Sequence, residues 1–416
     1  MKTIGIAFAF AAGTIASRLL LARVPSGFAT DLAQPLPVAT DWGATGAVFW
    51  LVLAATIAVA FVVYALQLRR PLSTGGTLLA GALALVAGWF WLPLFSSDVY
   101  AYGAYGEMAR IGLNAYAPAG RSSDTLIAAA NWQWRPENVP ICVYGPAFVA
   151  IAHAIAGALR GFGVLAVLDG FRMLACAALL LSGYLAALLG GARAAAFIVC
   201  NPVALFAALE GHNDTLALAA VLLGIVIARR APALGAAAVA LAASIKLPAL
   251  AASLAFALDR ILARRNARAV LGGTIVGIAA VVTASRGLIG GVRSGIVSHG
   301  HYLPLASIQA LGLPVAALVC VFVLVRARSM GTPIDRWCTI ALAAWIAIPN
   351  PYPWYALWLL PLAAFAHDRR ARVTVLAVTS AALLRYLPDA AGLPSPLLSL
   401  GYGAIAVTAY VPLVLQ

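Results

Sequence analysis

Residues 77–102 read TLLAGALALVAGWFWLPLFSSDVYAY. Nothing in 77–95 is charged, and an apolar run of about 20 residues is what a helix needs to cross the hydrocarbon core of a bilayer. Ser96, Ser97 and Asp98 end the run abruptly, so a carboxylate arrives where the helix leaves the membrane. Backbone polar groups inside lipid must be satisfied within the segment itself, which makes this stretch a helix. The fold it predicts is all-α and polytopic.

The same pattern recurs along the chain, for example at 4–21, 48–66 and 305–325. Hydrophobic residues make up 63% of the 416, and charged residues only 10%, against about 25% in soluble domains. A water-soluble protein is excluded. A transmembrane bundle of about 12–13 helices, some short or broken, uses all of 1–416 as one domain at roughly 20 residues per span.

The net charge of +14 would point to nucleic acid in a soluble protein. Here the cations follow apolar runs in short clusters: Arg69 and Arg70, Arg229 and Arg230, Arg264 and Arg265, Arg326 and Arg328, and Arg369, Arg370 and Arg372. That is the positive-inside pattern of cytoplasmic loops, so nucleic acid is not a partner. The five cysteines are scattered, with no metal-ligand spacing, and read as small core hydrophobes. Lys2 followed by an apolar run resembles a secretory signal, but the run is too long and Arg18 interrupts its end, which favours an uncleaved first helix.

Counting outward from the basic clusters makes 96–140 the one long loop, on the extracytoplasmic side. Within it Val99, Tyr102, Tyr105, Met108 and Ala109 recur at helical spacing, which predicts an amphipathic interfacial helix over 98–112. A second short helix is expected over 123–134, with Trp132 and Trp134 in the headgroup belt. Lys246-Leu247-Pro248 interrupts an apolar stretch between two arginine clusters, which requires a hairpin turning at Lys246. Residues 210–214 and 350–355 are further turns on that side, and 367–372 returns to the cytoplasm. These placements agree only if the helix over 144–157, or its neighbour, is short or re-entrant. No internal repeat is evident, which argues against a secondary transporter.

Ionisable groups at the ends of apolar helices are functional candidates. Asp98 stands on a rigid support at the membrane surface, where it is placed as a general base or as the cap of the helix it starts. Glu107 and Arg110, three apart, pair with each other or serve a ligand. His212, Asn213 and Asp214 form a denser polar knot than a helix cap needs, suited to binding a sugar; as metal ligands they are weak evidence. Lys246 requires an anionic partner, which a lipid phosphate supplies, unless it snorkels to the headgroups. His299, His301 and Tyr302 occupy another turn on that side, solvated or against phosphate. No phosphate loop, nucleophile elbow or zinc-protease helix is present.

In their order along about 260 residues, these pieces resemble the bacterial GT-C glycosyltransferases, specifically the polyprenol-phosphate-mannose-dependent alpha-mannosyltransferase group. They are 97–102, Asn114-Ala115-Tyr116, Tyr144-Gly145-Pro146, Asn201-Pro202, 211–214, 245–248 and Pro353-Trp354-Tyr355. The resemblance implies inverting transfer of a hexose, mannose in the nearest relatives, from a polyprenyl-phosphate sugar to an extracytoplasmic glycan or lipid. It implies a bacterial inner membrane location and no cofactor, a divalent metal being possible but not indicated. The aspartate opening the first long outer loop is the base in such enzymes, so that role falls on Asp98. Lys246, Arg110 and His301 are the candidates for the donor phosphate. Tyr100, Tyr102, Glu107, Asn114, Tyr116, Tyr144, His212, Asn213 and Asp214 are those for substrate. The rival readings are a lipid or polysaccharide flippase, marked by a polar line across the bilayer, and a polymerase or ligase using a lipid-pyrophosphate donor.

Overall fold

The computed structural model describes residues 5–21, 44–90, 96, 98–117, 122–133, 139, 141–285, 321, 332–347 and 352–384. These residues are helical, with no strand among them. His299, His301, Tyr302, Trp134, the run 305–325 apart from Val321, and Arg326 and Arg328 lie outside them, as does the side chain of Trp132.

Helices α1 (Gly5–Leu21), α2 (Ala44–Arg69) and α3 (Thr74–Gly88) open the bundle. Ser73 caps α3, its Oγ accepting from Gly76 N at 3.2 Å. Then come α4 (Asp98–Arg110), α5 (Thr125–Gln133), α6 (Pro146–Leu159) and α7 (Val164–Val199). After these follow α8 (Pro202–Leu209), α9 (Asp214–Ala228), α10 (Pro232–Leu241), α11 (Pro248–Leu262) and α12 (Ala267–Ala284). The chain closes on α13 (Pro333–Ala347), a 3-10 stretch Pro353–Leu359, α14 (Leu360–Phe365) and α15 (Arg369–Leu384). Proline at the start of α6, α8, α10 and α11 suits a position whose N–H has no intrahelical partner.

Among the described residues three helices are long and apolar enough to cross a membrane, Leu51–Arg69, Val164–Val199 and Ala267–Ala284. The pair Pro202–Leu209 and Asp214–Ala228, bent by 117°, brings the number to four if it is one span. Further apolar helices, such as Thr74–Gly88 and Pro232–Ser244, are shorter. The bundle is thus built partly of short and broken helices, as the interrupted runs predict.

Two features answer the topological conflict over 144–157. First, α4 and α6 run parallel. Tyr102 meets Phe148, with ring centroids 4.8 Å apart. A Cβ on Gly106 would lie 2.2 Å from the Ala152 carbonyl oxygen, and Glu107 pairs with Arg160 at 3.2 Å. Both helices therefore lead away from Asp98, and α6 is a partner of α4 rather than a return across the bundle. Second, α7 is two helices. Gly190 (φ −146°, ψ 17°) and Gly191 (φ 76°, ψ −172°) break it, and the chain doubles back so that Val199 packs against Gly183 and Gly81. The segment 164–189 alone is about 39 Å long at 1.5 Å per residue. It has length enough for the crossing.

Helix α9 runs beside α7, from Gly211 against Arg172 to Arg229, whose Nη1 donates to the Leu188 carbonyl at 2.9 Å. Helices α10 and α12 run side by side, Gly273 on Ala233 and Gly277 on Ala237. Small residues let these backbones approach, as is common between membrane helices. Arg193, Arg229 and Arg372 thus lie towards the end of the bundle at which α7 breaks, away from the turns that hold Asp98, His212, Asp214 and Lys246.

The expected helix over 98–112 forms as α4, but it is not half-buried. Every residue from Val99 to Met108 is buried, because Gly103, Gly106, Ala101 and Ala104 on its other face admit neighbours at close range. Helix α5 matches the second expected helix. Asp124 caps it, its Oδ1 accepting from Leu126 N at 2.9 Å and Ile127 N at 3.3 Å.

Candidate active site

Asp98 is the first residue of α4, its N–H donating to Ser96 Oγ at 3.1 Å. Its carboxylate is reached from two other chain segments. Tyr144 Oη donates to Oδ2 at 3.3 Å, and His212 Nδ1 lies 3.6 Å from the same oxygen, longer than an ordinary hydrogen bond. The Asp98 side chain is 15% exposed while that of His212 is 0% exposed. Burial alone would raise the Asp98 pKa; His212, the Lys246 ammonium and the Tyr144 hydroxyl together hold it below the ordinary carboxylate range.

Tyr144 and Lys246 are brought together by backbone. Gly145 N donates to the Ile245 carbonyl at 3.3 Å, and a Cβ on Gly145 would fall 2.1 Å from the Ser244 carbonyl oxygen. Only glycine permits this approach. The hairpin turning at Lys246 is present as predicted, between α10 with its 3-10 extension Ala242–Ser244 and α11.

Residues 210–213 turn the chain from α8 into α9. Asn201 caps α8, its Oδ1 accepting from Val203 N at 2.9 Å, and Gly211 takes the left-handed conformation at φ +80° that glycine adopts without steric cost. Arg172, on α7, secures the turn from behind. Its Nε donates to the Leu209 carbonyl at 2.6 Å, its Nη2 to the Trp89 carbonyl at 2.5 Å, and its Nη1 to Asp169 at 2.7 Å. The guanidinium also lies 4.4 Å from the Trp89 ring centre. It thereby satisfies carbonyls at the ends of α3 and α8, which would otherwise be costly where water is excluded.

Asp214 is fully buried, and Lys246 Nζ donates to its Oδ2. Trp358 Nε1 donates to its Oδ1 at 2.9 Å. The anion that Lys246 requires is therefore supplied within the chain. The ammonium also sits 5.4 Å from the ring centres of Tyr144 and Tyr355.

The 3-10 stretch forms an aromatic wall. At three residues per turn, positions 352, 355 and 358 fall on one face. Trp354 stacks on His212 at 3.9 Å and on Tyr352 at 4.5 Å. Behind α4, Tyr102 lies edge-on to Tyr144, Phe148 and Phe171, and its hydroxyl donates to Asn213 Oδ1 at 3.3 Å.

Of the residues predicted from sequence, the structure brings together Asp98, Tyr102, Tyr144, His212, Asn213, Asp214 and Lys246. Tyr102, His212 and Asn213 are sealed inside, where they touch other side chains of the site rather than its opening. Tyr100 is buried beside them on α4. Glu107 and Arg110 belong elsewhere. Arg110 binds Glu107 through two nitrogens at 2.8 and 2.7 Å, and stands about 18 Å along α4 from Asp98 at 1.5 Å per residue. Asn114 is exposed and its Oδ1 accepts from Tyr116 N at 2.9 Å, a local turn near the same end. Sequence reasoning gave no site role to Arg172 or Trp358, and quoted Trp354 and Tyr355 only as part of a matching stretch. A lone arginine in an apolar run signals the first; the aromatic spacing at 352, 355 and 358 signals the others only once the 3-10 geometry is known. Among the described residues no three His, Cys, Asp or Glu side chains converge as metal ligands.

Residues 4–264 match the family model described as alpha-(1->6)-mannopyranosyltransferase, N-terminal domain, and residues 283–415 match the one described as MptB C-terminal domain. Neither the curated proteins nor the solved structures contain a match to the chain.

Proposed function

Because this chain belongs to the alpha-(1->6)-mannopyranosyltransferase family, we propose that it moves mannose from a polyprenyl-phosphate donor to a glycan or glycolipid hydroxyl, inverting the anomeric centre with Asp98 as general base. It is a multi-pass membrane glycosyltransferase, and mannose is the sugar of its family. Donor, acceptor, stereochemistry and base are our reading.

The observation that carries the role of Asp98 is how its two oxygens are used. Both of its side-chain contacts fall on Oδ2, so Oδ1 faces the partly exposed side without a partner among the described residues. Glu107 and Asp214, by contrast, are fully buried and bound to cations. In the step we propose, Asp98 Oδ1 takes the proton of the acceptor hydroxyl as that oxygen bonds to the anomeric carbon. The bond from that carbon to the phosphate oxygen breaks on the opposite face, and the electron pair leaves with the polyprenyl phosphate. A phosphate monoester needs no proton to depart, but it does need a cation. Lys246 is suited to this, since Asp214 orients its ammonium at the site while other N–H donors remain. Arg110 is too far along α4 and is committed to Glu107, so we give it no donor role. Helices that end in arginine clusters opposite the site fit an extracytoplasmic active site in a bacterial inner membrane.

Charged groups buried at one end of the bundle suit transfer better than the flippase reading. The test is to incubate membranes holding the protein with polyprenyl-phosphate mannose, polyprenyl-phosphate glucose or a lipid-pyrophosphate sugar. Consumption of the first with mass gained by an acceptor, and loss of that reaction in Asp98→Asn, is the expected result. Consumption of the pyrophosphate donor alone would move the assignment to a polymerase.

A further inference from the structure

Asp98 is backed by an imidazole that no substrate can reach. His212 is wholly buried, and Trp354 stacks on its ring at 3.9 Å and 20°. The plane of the ring is thereby held with Nδ1 towards Asp98 Oδ2, 3.6 Å away. Yet among the described residues neither ring nitrogen of His212 has a hydrogen-bond partner, and neither has Nδ2 of Asn213, which is also buried. Buried polar atoms left in this condition are rare.

Both side chains line one cavity of about 10 Å³ whose remaining wall is largely apolar, including Phe148 and Phe171. A space of that size holds about one water. Asn213 has a defined orientation, because its Oδ1 already accepts from the Tyr102 hydroxyl. Its Nδ2 can therefore only donate. A water accepting from Nδ2 must turn a hydrogen elsewhere, and His212, which lines the same cavity, offers Nε2, the ring nitrogen not turned to Asp98. That makes Nε2 the unprotonated nitrogen and Nδ1 the protonated one.

We propose that His212 is a positioning residue for Asp98, donating from Nδ1–H to Oδ2 and kept in that tautomer by one buried water shared with Asn213. The donors then point one way, from Tyr102 through Asn213, the water and His212 to the carboxylate. Chains of this kind polarise each successive bond. The Asp98 carboxylate is turned so that Oδ1 meets the acceptor, and its ionised form is favoured. The other charged or titratable groups facing it are Tyr144, Tyr102, Tyr105, Lys246 and Asp214. None of these is altered by replacing His212. The inference rests on the reading of Asp98 as the base.

Three variants test it in the mannosyl-transfer assay, with pH-rate profiles and separate KM and kcat. His212→Phe keeps a flat ring against Trp354 but has no donor. Its acid limb is expected to move up by about one pH unit, the size of one lost hydrogen bond to the charged form, with kcat down about tenfold and donor KM unchanged. His212→Asn carries an amide nitrogen near the Nδ1 position and should bring the limb back towards wild type. Asn213→Leu, which removes the donor to the water, should move the limb in the same direction as His212→Phe but less. An unmoved limb in His212→Phe, or equal shifts in His212→Phe and His212→Asn, overturns the proposal. Nitrogen-15 NMR of histidine-labelled protein, with the His212 signal assigned by its loss in His212→Asn, reads the tautomer directly. A signal from the Nε2-protonated form also overturns it, and this holds even if His212→Phe does not fold. Full turnover in Asp98→Asn would remove the base itself. An inactive Asp98→Asn beside an unmoved limb would remove only the role of His212.

Discussion

Helix α4 carries an acid near each end, and the two ends are built to opposite purposes. Glu107 is fully buried and gripped by Arg110 at 2.7 Å and Arg160 at 3.2 Å. Asp98 meets a tyrosine hydroxyl and an imidazole through one oxygen and keeps the other towards the opening. A carboxylate bound by two guanidiniums has its lone pairs committed and offers none to a substrate hydroxyl. One held by weaker donors is oriented without being neutralised. Residue type and burial alone would rank Glu107 as the more unusual acid; its partners show that it joins α4 to α6, while Asp98 keeps one oxygen without a partner among the described residues.

This contrast can be broken by substitution. The largest effect is expected at Asp98, where Asp98→Asn should cut turnover by about 10²–10⁴, the usual contribution of a general base. The apparent melting temperature should stay near that of the parent protein, since the amide keeps the shape and the Tyr144 contact. A smaller loss, roughly tenfold to a hundredfold, is expected of Gly145→Ala, because the methyl meets the Ser244 carbonyl and must part Tyr144 from Lys246; displacements of about 1 Å near a reacting centre have this scale. Donor KM and kcat measured together would show whether the parted groups bind or react. The smallest effect on turnover belongs to Glu107→Gln, within about threefold. Its cost is in stability, on the order of 1–3 kcal/mol for hydrogen bonds lost between a buried carboxylate and part-exposed guanidiniums, read as an earlier thermal transition in detergent. Equal loss of turnover in Asp98→Asn and Glu107→Gln would abolish the distinction between the two ends.

The turns around Lys246 and 210–214 were legible in the sequence because charge interrupts apolar runs there, and charge inside a membrane bundle must go somewhere. The reversal at Gly190–Gly191 was not. It sits within a run of small apolar residues broken only by Arg193, and a turn needing only two glycines leaves little composition to read; the pair of glycines beside that arginine was the signal available. The helix over 98–112 was legible as a helix, but its burial was misjudged from an apolar stripe. The stripe leaves out Gly103, Gly106, Ala101 and Ala104 on the other face, whose value is the close approach they allow. Asp98 was legible from its place at the end of an apolar helix, and the imidazole behind it was legible only as part of a polar knot. Which atoms face each other belongs to tertiary structure.

The aromatic wall comes from 352–358, and the site side chains that Trp354 and Trp358 touch come from before residue 250. Trp354 covers His212, and Trp358 holds Asp214. The matched stretches 4–264 and 283–415 therefore contribute to one site and cannot be exchanged independently between relatives. A crossover joining the first stretch of one enzyme to the second of another would put a foreign indole against a native imidazole. Changes at 212–214 and at 354–358 are expected to be inherited together, and functional chimaeras to be those in which both sets came from the same parent.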